Sequence, residues 1–261
     1  MTLPFLDYDN LASEYDQRYP TAELSERGRA LLEFAGRTTN PHILEAGVGT
    51  GHWLSALRPF TSHLFGLDFS PLMLREARAR DASLRLARGS ATRLPFDSMR
   101  FDLVYAVDAL HHFGGAPAFV DESFRVLKAG GALAVFGADP HSGQDDWYVY
   151  KYFEGVLETD LRRYTSSPAL REMMRAAGFV QTGTRQVEHI LSVHHGRNVL
   201  SEPYLAKNSS SQLALLSEEE YLAGVERIKH DLSTAEARGE TLVFRSDLHV
   251  MMTMGVKPND L

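Results

Sequence analysis

Through the first half of the chain, short apolar runs alternate with stretches of helical spacing. Residues 42–45 follow Pro41, and residues 64–67 end at Asp68. With residues 84–87, 101–107 and 132–136, each of these runs reads as a strand. Between them, Trp53, Leu54 and Leu57 lie at helical spacing and stop before Pro59. Ser70-Pro71 reads as an N-cap with proline at the first helical position, and Leu72, Met73, Leu74 and Ala77 continue that helix. Residues 119–127 repeat the helical spacing, with Gly130-Gly131 as a stop. Five strands separated by helices of roughly ten residues predict an α/β fold with a doubly wound parallel sheet. Such sheets bind ligands at the carboxyl ends of their strands.

The second half changes texture. Residues 139–165 hold Trp147, Tyr148, Tyr150, Tyr152, Phe153 and Tyr164. Ser167-Pro168 opens a helix through Leu170, Met173, Met174 and Ala177, and residues 179–193 have strand character. Residues 194–239 are polar and helical, with a capping box at 217–220 and a flexible joint expected at 208–211. Residues 242–254 read as a last long strand. The pattern is that of a single domain over residues 1–261. Residues 139–165 and 194–239 are either packing helices or insertions that form a lid.

Composition narrows the chemistry. The chain has 261 residues, of which 44 % are hydrophobic, enough for a core. It has no cysteine, which excludes disulfides, thiolate metal sites and cysteine nucleophiles. Its net charge of -7 disfavours a nucleic-acid partner. The first residues carry no basic leader segment, and no apolar run approaches the ~20 residues of a membrane span. The expected location is the cytoplasm.

The strongest local signal is Glu45-Ala46-Gly47-Val48-Gly49-Thr50-Gly51, at the end of the first strand and the opening of a helix. Its glycines permit a tight turn and a close backbone approach to a ligand. Asp68 lies 21 positions after Gly47, at the end of the second strand, where a carboxylate can bind both hydroxyls of a ribose. A dinucleotide site uses the same parts, but its fingerprint needs a sixth-position glycine where this chain has His52. Glu45 would repel a pyrophosphate and suits a ligand carrying an ammonium and a sulfonium.

The loop resembles motif I of the class I S-adenosylmethionine-dependent methyltransferases. Three further segments resemble that family in the expected order: residues 89–96 (GSATRLPF), residues 101–104 with 109–113 (FDLV and ALHHF), and residues 125–131 (RVLKAGG). The set resembles the small-molecule subgroup that includes the ubiquinone-biosynthesis and trans-aconitate methyltransferases. The resemblance implies a Rossmann-like, mainly parallel seven-stranded sheet with helical lid insertions, S-adenosylmethionine as cofactor and a small-molecule acceptor. It assigns Gly47, Gly49 and Gly51 to the methionine and ribose portions, and Glu45 to the loop and the amino group. Asp68 takes the ribose diol, Phe69 lies beside the adenine, and Ser90 and Ala91 meet the adenine edge, with Val107 also at the cofactor. Ser90 stands where the family usually has Asp, so its contact lacks charge assistance. Residues 1–20 resemble a segment that closes over the cofactor. There Tyr15 is a cofactor contact and Arg18 a partner for the methionine carboxylate, a solvated helix face being the alternative for Arg18.

A base is needed only if the acceptor is protonated when it attacks. His111 is the candidate, with packing as its alternative; His194 and His195 read more simply as a polar loop. Asp102 reads as a structural turn residue. No histidine pair has H-E-x-x-H spacing, so no metal site is expected. Trp147, Tyr148, Tyr152 or Tyr204 is expected to line an acceptor cavity beside the sulfonium, the alternative being that these aromatics pack into a satellite core or an oligomer interface; Arg162-Arg163 lie in the same segment as the first three. An NAD-dependent oxidoreductase and a non-catalytic S-adenosylmethionine-binding module stay open as alternatives.

Overall fold

The computed structural model describes residues 25–259, which divide into two compact units. The larger unit holds residues 25–139, 165–188 and 250–259. Its elements begin with α1 (Glu26–Ala35), β1 (Ile43–Ala46), α2 (His52–Ala56), β2 (Leu64–Asp68), α3 (Pro71–Arg80) and β3 (Arg85–Arg88). They continue with β4 (Phe101–Val107), α4 (Ala116–Val126), β5 (Leu127–Ala138) and α7 (Ser167–Ala176). The smaller unit holds residues 140–164 and 189–249. It carries β6 (Asp146–Trp147), α5 (Tyr148–Tyr152), α6 (Val156–Arg163), α8 (Ser211–Ala214) and α9 (Glu218–Ala237). Strands β7 (Val180–His195) and β8 (Val243–Val256) each contribute residues to both units.

The strand order is β3-β2-β1-β4-β5-β8-β6, with β7 paired to β8. Strands β1 to β5 run parallel, and β8 runs antiparallel to β5 from Ala132↔Val256 to Ala138↔Val250. The count is eight strands where the resemblance implies seven. The extra one is the two-residue β6, which pairs Asp146 with Asp247 and Trp147 with Ser246. A strand that short leaves no period in the sequence.

Side chains alternate across the pleat, so each central strand feeds two cores. Ile43, Leu103, Tyr105 and Val107 pack with Leu31 and Phe34 of α1 and with Trp53 and Leu54 of α2. Leu44, Ala46, Val104 and Ala106 pack with Phe119 and Val120 of α4 and with Leu170 and Met174 of α7. This two-sided burial is why β1 and β4 read as nearly continuous apolar runs. The helix starts follow their side-chain caps. Ser70 Oγ accepts the Met73 N–H at 3.1 Å, with Pro71 at the first position of α3. Helix α7 opens at Ser167-Pro168 as expected, with Ser166 as its cap.

In the smaller unit, Tyr148, Val149, Tyr152, Phe153 and Val156 pack with Leu213, Ile228, Leu232 and Phe244. Helix α9 approaches so closely that a Cβ on Gly224 would lie 2.3 Å from the Phe153 ring. The expected capping box forms, Ser217 and Glu220 each taking the other's backbone N–H. The expected joint at 208–211 instead supplies the cap of α8, whose Ser210 Oγ accepts the Leu213 N–H at 3.3 Å.

Candidate active site

Sheet progression reverses between β1 and β4, and the carboxyl ends of β1 to β4 carry the predicted residues. After β1, Gly47 and Val48 both donate their N–H groups to Leu67 O, at 2.8 and 2.9 Å, so the turn is pinned to β2. Gly47, Gly49 and Gly51 have φ of +73°, +52° and +77°, the left-handed region that side chains disfavour. Their surroundings differ. A Cβ on Gly47 would lie 2.6 Å from Ala109 Cβ, and one on Gly51 would lie 3.2 Å from Ala77 Cβ. A Cβ on Gly49 would meet nothing within 4 Å. Two of the glycines therefore serve the protein's own packing, while the third fronts open space. Helix α2 is only five residues long, so it supplies little dipole.

Asp68 faces this loop. Its Oδ2 accepts the Gly49 N–H at 2.8 Å and its Oδ1 accepts the Ser70 N–H at 2.9 Å. The carboxylate is thereby fixed in orientation. Next to it Phe69 is 61 % exposed, an unusual position for a phenylalanine ring, and the Arg88 guanidinium lies 5.7 Å from the ring centre. After β3, Ala91 is buried, and Ser90 is exposed with its Oγ 2.8 Å from Thr92 Oγ1. That hydroxyl shapes its own turn.

Glu45 is buried to 1 % exposure and accepts a hydrogen bond from Tyr105 Oη at 2.9 Å. Burial above all, with the negative charge of Asp68 added, raises its carboxyl well above the usual range. The Tyr105 hydroxyl and the Leu54 N–H oppose that rise only in part. A carboxyl raised by folding keeps its proton while the unfolded chain ionises. Stability is then lost as pH climbs past the ordinary value of 4.5. Glu45→Gln is expected to remove this loss while still accepting from Tyr105. Its melting temperature should rise relative to wild type between pH 4.5 and 7.5, as read by thermal melts across that range. An unchanged difference across the range would sink the assignment.

After β4, Val107 is buried and Asp108 adopts φ of +49°. Asp108 pairs with Arg27 of α1, which also donates through Nε to Glu188 at 2.8 Å. No sequence motif singled out this trio. Its one retrospective signal is an arginine on the buried face of α1, beside Leu31 and Phe34. His111 sits half-buried in a short 3-10 turn, its ring centre 3.9 Å from that of His112. Asp102 accepts the His42 N–H and Lys128 Nζ, each at 2.8 Å, the structural role read from the sequence. Tyr15 and Arg18 lie outside the described residues.

The aromatic run belongs to the smaller unit. Tyr148 and Tyr152 are core residues there, their hydroxyls donating to Glu202 at 2.9 Å and to Asp231 at 3.1 Å. Trp147 is half-buried against Tyr150, and Tyr204 is 47 % exposed. Tyr148 and Tyr152 thus belong to the core of the smaller unit. Arg163 is also buried there, 3.5 Å from Asp160.

Comparison with known proteins agrees with this geometry. Residues 44–135 match a family described as a methyltransferase domain. The chain is 26 % identical over 218 residues to demethylmenaquinone methyltransferase of Beutenbergia cavernae, covering 75 % of this chain and 90 % of that protein. It is 33 % identical over 142 residues to phthiotriol/phenolphthiotriol dimycocerosates methyltransferase of Mycobacterium leprae, covering 50 % of this chain and 52 % of the other. The fold is similar to that of Haemonchus contortus phosphoethanolamine N-methyltransferase 2, solved with S-adenosyl-L-methionine. The TM-score is 0.61 at 18 % identity, over 96 % of this chain and 57 % of that one. With the glycine turn, the anchored Asp68 and the ordered segments, these matches identify residues 44–135 as a methyltransferase domain that uses S-adenosylmethionine.

Proposed function

We propose that the chain methylates a small, partly apolar acceptor, with the carboxyl ends of β1 to β4 holding the cofactor. The observation that carries the site assignment is the Asp68 carboxylate, fixed by the Gly49 and Ser70 N–H groups beside a loop open at Gly49. A carboxylate accepts hydrogen bonds on both oxygens, which suits the two hydroxyls of a ribose. The exposed Phe69 ring next to it suits the flat face of an adenine. These residues fit S-adenosylmethionine. When bound, that cofactor supplies a methyl carbon on a sulfonium, whose bond electrons return to sulfur as the acceptor takes the methyl group. The protein's part is then positioning and exclusion of water. Glu45 supports the floor of the loop through Tyr105. We assign His111, in the turn that follows β4, as the base for an acceptor that still carries a proton.

The acceptor class rests on relatives. One is named for demethylmenaquinone and another for phthiotriol and phenolphthiotriol dimycocerosates. The net charge of -7 speaks against a polyanionic substrate. No helix among the described residues is long and apolar enough to cross a membrane.

The test is cofactor binding by Asp68→Ala. Losing hydrogen bonds to a charged group costs about 1–3 kcal/mol, so affinity should fall on the order of 5- to 150-fold by calorimetry. A folded Asp68→Ala protein with wild-type affinity would defeat the ribose assignment.

A further inference from the structure

In the smaller unit, strand pairing assembles a group that no sequence motif announces. Asp247 and His249 stand two apart on β8 and so project from the same face of the strand. His189 stands on β7, which pairs with β8. His189 Nε2 lies 2.6 Å from Asp247 Oδ1, and His249 Nε2 lies 3.8 Å from that same oxygen. The two imidazoles stack at 10° with centres 4.8 Å apart. One ligand atom from each of the three residues falls within 4.8 Å of the others.

The surroundings hold these three groups in position. Asp145 Oδ1 accepts the His249 backbone N–H at 2.8 Å and lies 3.2 Å from His249 Nδ1. Asp145 is almost fully buried, so this contact is sheltered from water. It places the proton of a neutral His249 on Nδ1 and leaves a lone pair on Nε2, facing the Asp247 carboxylate. A lone pair and a carboxylate oxygen repel each other unless a cation lies between them. Arg245 occupies the other oxygen, Oδ2, and leaves Oδ1 to the imidazoles.

We propose that His189, Asp247 and His249 bind one divalent transition-metal ion, of the zinc class, through their two Nε2 atoms and Oδ1. Two imidazoles and one carboxylate are a ligand set that suits such ions, and the third-residue partner Asp145 orients His249 as outer-shell carboxylates do. The site is half-open, His189 being exposed, so a fourth position remains for water or another ligand. Binding needs a lone pair on each Nε2, so it releases any proton held there. The expectation of no metal site came from helical H-E-x-x-H spacing, which cannot register ligands brought together across two strands.

The test uses the full-length, tag-free protein after treatment with a chelator. Cobalt(II) titration is expected to show one equivalent bound with a visible ligand-field spectrum, and zinc(II) to compete for it. His189→Ala and His249→Ala should each weaken binding by at least about tenfold, and Asp145→Asn by about 10- to 100-fold. His141→Ala, in the same unit but outside the cluster, should bind like wild type. Glutamine variants replace the alanine ones if circular dichroism shows unfolding. Zinc-induced shifts of the His189 and His249 imidazole resonances in wild type give a readout that needs no variant. Absence of stoichiometric binding in wild type, imidazole resonances that do not move, or equal binding by a folded double histidine variant, would overturn the proposal.

Discussion

A Gly49→Val protein is expected to fold and to lose S-adenosylmethionine binding by on the order of 100-fold or more, about 3 kcal/mol. The reason lies in what surrounds the added atoms. Gly49 has φ of +52°, and its missing Cβ points where none of the described residues has an atom within 4 Å. A branched side chain there meets only the volume in front of the loop, which the cofactor must enter. The backbone penalty is that of one left-handed residue, about 1–2 kcal/mol, which a domain of this size survives. Gly47 provides the contrast. Its Cβ would fall 2.6 Å from Ala109 Cβ and 3.2 Å from the Phe113 ring, so even Gly47→Ala strains the protein itself. The pair separates the two roles: Gly49→Val lowers affinity in calorimetry with a modest change in melting, whereas Gly47→Ala lowers melting first. Wild-type affinity in Gly49→Val would show that the cofactor does not lie against this turn.

The parts of the fold that could be read in sequence are those governed by local chemistry. Ser70-Pro71 and the 217–220 box reach the structure as written, because a cap is decided by a few consecutive residues. Strand β4 matches residues 101–107 because two-sided burial demands an unbroken apolar run. The reading fails where long-range pairing decides. Gly130-Gly131 read as a helix stop, but β5 begins at Leu127 and passes through both glycines, whose backbone groups bond to Lys257, 126 or more positions later. Aromatic residues at 147–152 carry no mark that tells a pocket wall from a core. Only the hydroxyl partners Glu202 and Asp231, more than 50 residues away, reveal Tyr148 and Tyr152 as core. Ser90 was weighed as a weak substitute for an acidic contact, yet its Oγ lies within hydrogen-bond distance of Thr92, two residues on. The hydrogen bond that Glu45 accepts from Tyr105, 60 positions later, likewise carries no local mark in the sequence.

Arg27 is the residue whose loss should cost the fold most, and it shows the same dependence on distant partners. Its side chain is 7 % exposed and bridges Asp108, beyond β4, and Glu188, on β7, while its guanidinium lies 5.7 Å from the Trp53 ring. Arg27→Ala leaves two carboxylates near each other without the cation between them. Breaking a buried pair in this way costs about 3–5 kcal/mol, on the order of a 10 °C fall in melting temperature. Arg27→Lys should recover little, because an ammonium cannot present the planar fork that reaches both acids. Arg27→Met combined with Asp108→Asn and Glu188→Gln should recover most of the loss, since neutral groups need no cation. Denaturant unfolding of the three proteins separates charge from packing. A loss below about 1 kcal/mol in Arg27→Ala would place the bridge among ordinary surface pairs. A triple variant as unstable as Arg27→Ala would instead assign the cost to the contact with Trp53. Because Asp108 follows Val107 directly and already sits at φ of +49°, the bridge also fixes the turn that leads to His111. Arg27→Ala should therefore weaken cofactor binding at temperatures where the protein is still folded, an effect that a purely global loss of stability would not produce.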